Sequence, residues 1–418
     1  MRRWKTQTPE GALDVLENEC ARKRSVEGCI MQTYKASGYF EVQTPTFEFY
    51  DVFADEFGDF DQSSMMKFFD RQGRILVLRP DLTTPIARVF ATRYADVPLP
   101  KRVSYVGSAF RDGGSVAGAV QKEFTQAGIE LIGQSSPEAD AEVIATTIRA
   151  LLSCGLEKFQ IDIGQAEFFK GIMEQTGLCE ETTEHIRQLI DQKSFVAVGE
   201  LADSYKIKSE LKELILELPS LFGGIEVIDK IKTKSLGARA KAALDNIIEI
   251  YGILVDYGFE KYISVDLGMV KGLNYYTGVI VKGFTHGVGF PVCGGGRYDN
   301  LIGEFGRSIP ATGVAIGIER VISALNYQKA EFELPVVHTL VCYDTDRSDA
   351  FKIAEGLRSN GLCVEVWTGG GDIEDYANRR GIGGIVRIRG NGVIDIKNLV
   401  DGTTTATTVS ELLGGEGK

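Results

Sequence analysis

The sequence predicts an α+β protein: an antiparallel sheet flanked by helices, with a helical insertion and a small α/β domain after it. Three observations lead to this class. Strand-like runs in the first third follow one another through short turns, the connection that antiparallel neighbours use. From about Ala166 to Tyr257 the chain is charge-rich and helical in its spacing, as in KSELKELILEL. Beyond Pro335, strand and helix patterns alternate as in a βαβ unit. At about 100 to 200 residues per domain, the 418 residues divide into a main domain over 1–325, with the insertion at about 166–257, a linker over 326–335 and a C-terminal domain over 336–418.

Each element has its own local reason. Apolar residues recur at helical spacing from Glu17 to about Ala36, and Gly38 stops the pattern. GYFEVQTPTFEFYDVF, rich in aromatic and β-branched residues, reads as a strand broken at Pro45. MMKFFDRQGRILVLRP is a hairpin around DRQGR that ends at Pro80. A helix follows at once, with Thr84 as its N-cap and Pro85 at the first helical position. KRVSYVGSAFRD and QKEFTQAGIELIG form a second hairpin through the small-residue loop DGGSVAGAV. A serine and a proline open the helix in SSPEADAEVIATTIRALLSCGL, and FQIDIG is the next strand. After the insertion come YISVDLG and LNYYTGVIVKGF as strands, CGGGRYDN as a glycine-rich turn, and ATGVAIGIERVISAL as a strand running into a helix.

Composition narrows the function classes. Hydrophobic residues make up 44% and charged residues 25%, as in ordinary globular proteins. No apolar run reaches the ~18 to 20 residues of a membrane span, and no apolar segment follows the basic start, so the expected location is cytoplasmic. Seven cysteines without a CxxC pair, and three histidines, provide no zinc spacing. Buried free thiols are expected, with no metal and no cofactor. A formal net charge of −12 denies the chain a general basic footprint for nucleic acid.

Several residues are candidates for a site. Asp81, at a strand-to-helix junction, can cap the helix or take a ligand's ammonium group. Arg111 ends one strand of the second hairpin. On the returning strand Gln126, Gly128 and Glu130 share a face, where amide and carboxylate groups are either solvated or converge on a polar, cationic ligand. Arg320 follows a strand narrowed by Gly313, Ala315 and Gly317. Its planar guanidinium can stack on a ring, clamp phosphate, or pair with a surface acid. CGGGRYDN can form an anion nest or a tight turn, and lacks the P-loop ending. Tyr275 and Tyr276, read as strand neighbours, face opposite ways, so one of them lines a pocket at most.

The order LRPDLTTP, AFRD to FTQAGIELIG, VKGLNYYTG, GGGRYDNLIGEFG, ATGVAIGIER resembles the class II aminoacyl-tRNA synthetase fold, and histidyl-tRNA synthetase in particular, across nearly the whole chain. The resemblance implies a dimer formed through the segment around Pro45, and ATP-binding roles for Arg111 and Arg320. It implies a histidine pocket of Asp81, Thr83, Gln126, Glu130, Tyr275 and Tyr276, with Arg111 and Lys271 at its edge. The C-terminal unit is similar to a shortened anticodon-binding domain.

Three departures alter the implied function. Lys271 stands where the synthetase pattern has arginine, and an ammonium cannot reproduce a planar bidentate fork. The loop between Arg111 and Gln121 carries no basic residue, and Asp81 replaces a longer glutamate. In addition to these three, from Val336 onward acidic residues outnumber basic ones, opposite to what a phosphate backbone attracts. This combination resembles the regulatory subunits of ATP phosphoribosyltransferase. That likeness implies a non-catalytic chain that binds a short-form catalytic subunit, with histidine as effector and no tRNA or membrane partner. An active histidyl-tRNA synthetase and another synthetase-like amino-acid-binding paralogue are the alternatives.

Overall fold

The computed structural model describes residues 4–54, 62–94, 96–112, 115–116, 119–270, 272, 275–332, 334–345, 347–390 and 393–412. The chain divides into two compact units, Met1–Phe332 and Glu333–Lys418.

The first unit opens with α1 (Glu17–Ala36), which carries Glu17 and Glu19 in its first turn and Lys35 in its last, each charge matched to the helix dipole. The strands β1 (Phe40–Glu41) and β2 (Phe47–Phe49) lie on either side of Pro45. The first hairpin forms as β3 (Lys67–Phe69) and β4 (Ile75–Leu78), and with β2 it makes a separate three-stranded sheet. Next, α2 (Thr83–Arg93) begins one residue before the expected cap. Thr84 lies inside the helix, where its N–H donates to Asp81 Oδ1 at 2.8 Å, so the capping carboxylate comes from Asp81.

The second hairpin is β5 (Lys101–Phe110) and β8 (Glu123–Ile132), with β6 (Ser115–Val116) and β7 (Ala119–Val120) paired in its connection. In α3 (Pro137–Ser153), Ser136 is the extended N-cap and Pro137 the first helical residue. β9 (Phe159–Gln165) precedes the helical stretch: α4 (Ala166–Thr176), α5 (Glu180–Asp191), α6 (Phe195–Ser204), α7 (Ser209–Glu217), α8 (Glu226–Lys232) and α9 (Ala238–Asp256). This stretch also contains an edge strand, β10 (Phe222–Gly223). Ile247, Ile250 and Leu254 of α9 belong to the same buried cluster as Ile144 and Ile148 of α3, so the insertion shares the main core.

β11 (Ile263–Asp266), β12 (Val279–Thr285), β13 (Cys293–Arg297) and β14 (Ala311–Gly317) complete a nine-stranded sheet of order β1-β5-β8-β14-β13-β12-β9-β11-β10. It is antiparallel except where β1 meets β5 and β9 meets β11. One face carries the largest core, where Ala127, Ile129 and Leu131 of β8 meet α1 and α3. The other carries Val103, Tyr105 and Ile132 against Ile86 and Phe90 of α2.

One expectation fails here. The glycine-rich run read as a turn is β13, in the interior of the sheet and hydrogen-bonded to β12 and β14. Glycine is needed there for contact rather than for turning, since a Cβ on Gly295 would collide with the Gly313 carbonyl oxygen. The last two residues of α10 (Ile318–Tyr327) lie within the span expected as linker, 326–335, and the boundary between the two units falls in the same span.

The second unit is built from β15 (Thr339–Tyr343), α11 (Arg347–Ser359), β16 (Val364–Val366), α12 (Ile373–Arg379) and β17 (Gly384–Gly390), with β16, β15 and β17 parallel. Two antiparallel strands that the alternation did not reveal, β18 (Val393–Asn398) and β19 (Thr404–Thr408), extend the sheet before α13 (Val409–Leu412). No helix among the described residues is long and apolar enough to cross a membrane. Cys293 and Cys342 are buried, whereas Cys20, Cys179 and Cys363 are exposed, against the expectation of buried thiols.

Candidate ligand-binding site

Alternation along β8 decides where the site forms. With Ala127, Ile129 and Leu131 turned toward α1 and α3, Gln126, Gly128 and Glu130 face the opposite side of the sheet. Glu130 stands opposite Gly313 of β14, and a Cβ there would overlap Glu130 Oε2. The carboxylate therefore occupies room that glycine leaves.

Glu130 is 1% exposed and holds three hydroxyl donors. Thr83 Oγ1 donates to Oε1 at 2.9 Å, the Tyr105 hydroxyl to Oε1 at 3.2 Å, and the Tyr298 hydroxyl to Oε2. A carboxylate offers about four acceptor positions, so capacity remains for one more donor. Burial outweighs the opposing pull of the three hydroxyls and, with a further push from Asp81, raises its pKa to about 7. The group is thus poised to change charge near neutrality.

Asp81, Thr83, Arg111, Gln126, Glu130, Tyr275 and Tyr276 line one cavity of about 200 Å³. Asp81 caps α2 through the N–H and hydroxyl of Thr84, and it also walls the cavity. Burial raises its pKa, opposed by Thr84 and by the Arg111 charge. Arg111 Nε donates to the Pro80 carbonyl at 2.9 Å, and its guanidinium lies 5.4 Å from the centre of the Phe124 ring.

The tyrosine pair departs from its expected geometry. β12 begins only at Val279, and the N–H groups of both Tyr275 and Tyr276 donate to the Gly272 carbonyl in a turn. The strict alternation of a strand does not apply, and both side chains line the cavity. Their rings meet edge-on at 4.9 Å, and Tyr275 stacks on Tyr298 at 5.5 Å. Lys271 lies outside the described residues.

A second cleft of about 420 Å³ adjoins the first and shares Arg111, Gln126 and Tyr276 with it. Arg320 lines this cleft and not the smaller cavity. Its Nη1 donates to the Pro291 carbonyl at 2.7 Å beneath the ring of Phe290, and burial lowers its pKa. Lys282 joins the two arginines there. One compartment is floored by a carboxylate and the other is rimmed by cations, which suits a ligand that is cationic at one end and anionic at the other.

Sequence reasoning missed Tyr105, Tyr298 and Lys282. Tyr298 was hidden because its motif was taken for a turn, while Tyr105 becomes a partner only through the pairing of β5 with β8. It also missed the ion pair of Arg297 with Asp140, at 7% and 2% side-chain exposure, which ties the end of β13 to α3. A larger groove, of about 910 Å³, lies between α1 and α3. The smaller cavity is the candidate because buried polar groups converge on it.

The chain matches the family model described as histidyl-tRNA synthetase over residues 11–321. A protein of Acetivibrio thermocellus named ATP phosphoribosyltransferase regulatory subunit is 55% identical over 417 residues, 99% of this chain and 100% of its own. One of the same name from Ruminiclostridium cellulolyticum is 46% identical over 420 residues, covering 100% of both chains. Among solved structures, an ATP phosphoribosyltransferase regulatory subunit/histidyl-tRNA synthetase from Bacillus halodurans has a TM-score of 0.84 at 30% identity, covering 93% of this chain and 99% of that one. Histidyl-tRNA synthetase from a Nostoc species reaches 0.80 at 22% identity over 97% and 98%, a likeness of fold.

Proposed function

The chain belongs to the family of ATP phosphoribosyltransferase regulatory subunits, which carry a histidyl-tRNA synthetase-like class II fold, and we propose that it acts by sensing histidine without activating it. Its partner is the short-form catalytic subunit. The assembly joins ATP to phosphoribosyl pyrophosphate to give phosphoribosyl-ATP, the first step of histidine biosynthesis, and this chain conveys feedback inhibition. It self-associates through the segment around Pro45 and has no tRNA partner.

The observation that carries the sensing role is the buried Glu130 with its three hydroxyl donors and Asp81 across the cavity. Such a floor accepts a cationic or N–H-bearing group of an amino acid, and Gln126 and the two tyrosines supply shape and further polar contacts. Arg111 and Arg320 are the remnant of a nucleotide compartment. Effector action requires that histidine bind one state of the assembly better than another.

Activation is lost at Lys271, where an ammonium takes the place of a planar bidentate fork. Histidine-dependent exchange of labelled pyrophosphate into ATP tests it directly. No exchange above background is expected from the purified chain. Sustained exchange would make it a synthetase.

A further inference from the structure

The groove of about 910 Å³ between α1 and α3 lies outside the site described above. One wall is a stripe of α1, with Cys29, Gln32, Thr33 and Ala36 at helical spacing; the other is a stripe of α3, with Glu142, Thr146, Arg149 and Ser153. From Glu142 to Ser153 the helix rises about 16 Å at ~1.5 Å per residue, the length of about five extended residues at ~3.3 Å each. Small and hydroxyl side chains occur along both stripes, which meet where Thr33 Oγ1 donates to Ser153 Oγ at 3.0 Å.

Its charges are unequal in state. Both Glu142 oxygens are engaged, by Arg102 at 2.6 and 2.5 Å and by the Tyr39 hydroxyl at 2.8 Å, so Arg102 and Glu142 neutralise each other. Arg149 forms no ion pair among the described residues. Its Nη1 donates to Thr146 Oγ1 at 3.4 Å, and its guanidinium lies 5.1 Å from the Tyr257 ring and 5.8 Å from the Phe259 ring. Those two rings stack on each other, 25° from parallel. Glu142 also feels the Arg149 charge, so the groove holds two guanidiniums, Arg102 and Arg149, to one carboxylate, and a half-buried cation fixed on an aromatic shelf is pre-organised for a second carboxylate.

We propose that this groove receives an extended acidic segment of the catalytic subunit, with a carboxylate seated on Arg149. The inference rests on the functional reading above, which supplies the partner. A compact metabolite would leave most of the channel empty, whereas an extended chain fills its length and offers backbone N–H groups to the hydroxyl oxygens of Thr33 and Ser153.

The test measures association of the full chain with the short catalytic subunit by sedimentation at low and moderate salt. It compares wild type, Arg149→Glu, Arg149→Lys and the surface control Arg379→Glu, with a thermal melt and histidine binding recorded for each. Arg149→Glu is expected to weaken association by at least about tenfold and flatten its salt dependence. Arg149→Lys should fall between, and Arg379→Glu should match wild type, with fold and histidine binding unchanged in all three. If Arg149→Glu associates as wild type does, the inference is overturned while the functional reading stands. A change in self-association alone would assign the groove to a second copy and overturn it equally. A wild-type chain that captures no catalytic subunit would overturn the functional reading and this inference together.

Discussion

Glu130 concentrates the chemistry of the cavity, because three hydroxyls and a neighbouring carboxylate act on one buried group. Glu130→Gln should weaken histidine binding by about 1.5–3 kcal/mol, the worth of a hydrogen bond to a charged group, or roughly ten- to a hundredfold in Kd by calorimetry. Unchanged affinity would remove Glu130 from the site. The pH dependence has a defined sign. Folding raises this acid from its ordinary 4.5 to about 7, so between those values the folded chain binds more protons than the unfolded one, and stability falls as pH rises through the window. Asp162, raised to about 6 by burial, adds a smaller slope of the same sign. Glu130→Gln deletes the larger one, so its melting temperature should gain on wild type between pH 5 and pH 8; a constant difference would contradict the assignment. At this scale the sequence was informative about residue type and face: the period of two along FTQAGIELIG put Gln126 and Glu130 together. It was silent on Tyr105 and Tyr298, whose contacts with Glu130 depend on strand pairing over 25 and 168 positions of separation.

The elements explain why such a site can be buried. β13 and β14 bring glycines under the carboxylate, and a Cβ at Gly313 has nowhere to go without moving Glu130. Gly313→Ala should cost about 1–3 kcal/mol through overpacking and abolish histidine binding together, read by urea denaturation and calorimetry. Loss of one without the other would break the link between strand packing and pocket shape. At the end of β13, Arg297 is held by Asp140 at 2.9 Å. Asp140→Ala leaves that guanidinium buried with Asp299, at 3.1 Å, as its remaining carboxylate partner, and a loss of up to about 3–5 kcal/mol is expected from the urea midpoint; a change near zero would mean that Gln134 and Asp299 suffice. Hairpins such as β3–β4 were legible because turn and strand signals sit side by side. β13 was not, since a run of glycines has turn composition and only its neighbours make it a strand. The turn before β12 was missed for a related reason: the β-branched and aromatic character of LNYYTGVIVKGF starts before the ladder of β12 does at Val279.

For the molecule as a whole, the order of motifs carried the family, and the comparisons place the chain among regulatory subunits along nearly its full length. Composition alone excluded much and identified little, since a net charge of −12 fits most soluble proteins. Two adjoining cavities, one carboxylate-floored and one cationic, are where the proposed function requires recognition without reaction. The most direct measurement mixes the short catalytic subunit with this chain and follows phosphoribosyl-ATP formation while histidine is titrated, using wild type and Glu130→Gln. The account predicts little turnover without the chain, full turnover with either version, and inhibition by histidine that shifts at least about tenfold to higher concentration with Glu130→Gln. Turnover that ignores the chain, or inhibition identical with both versions, would contradict it.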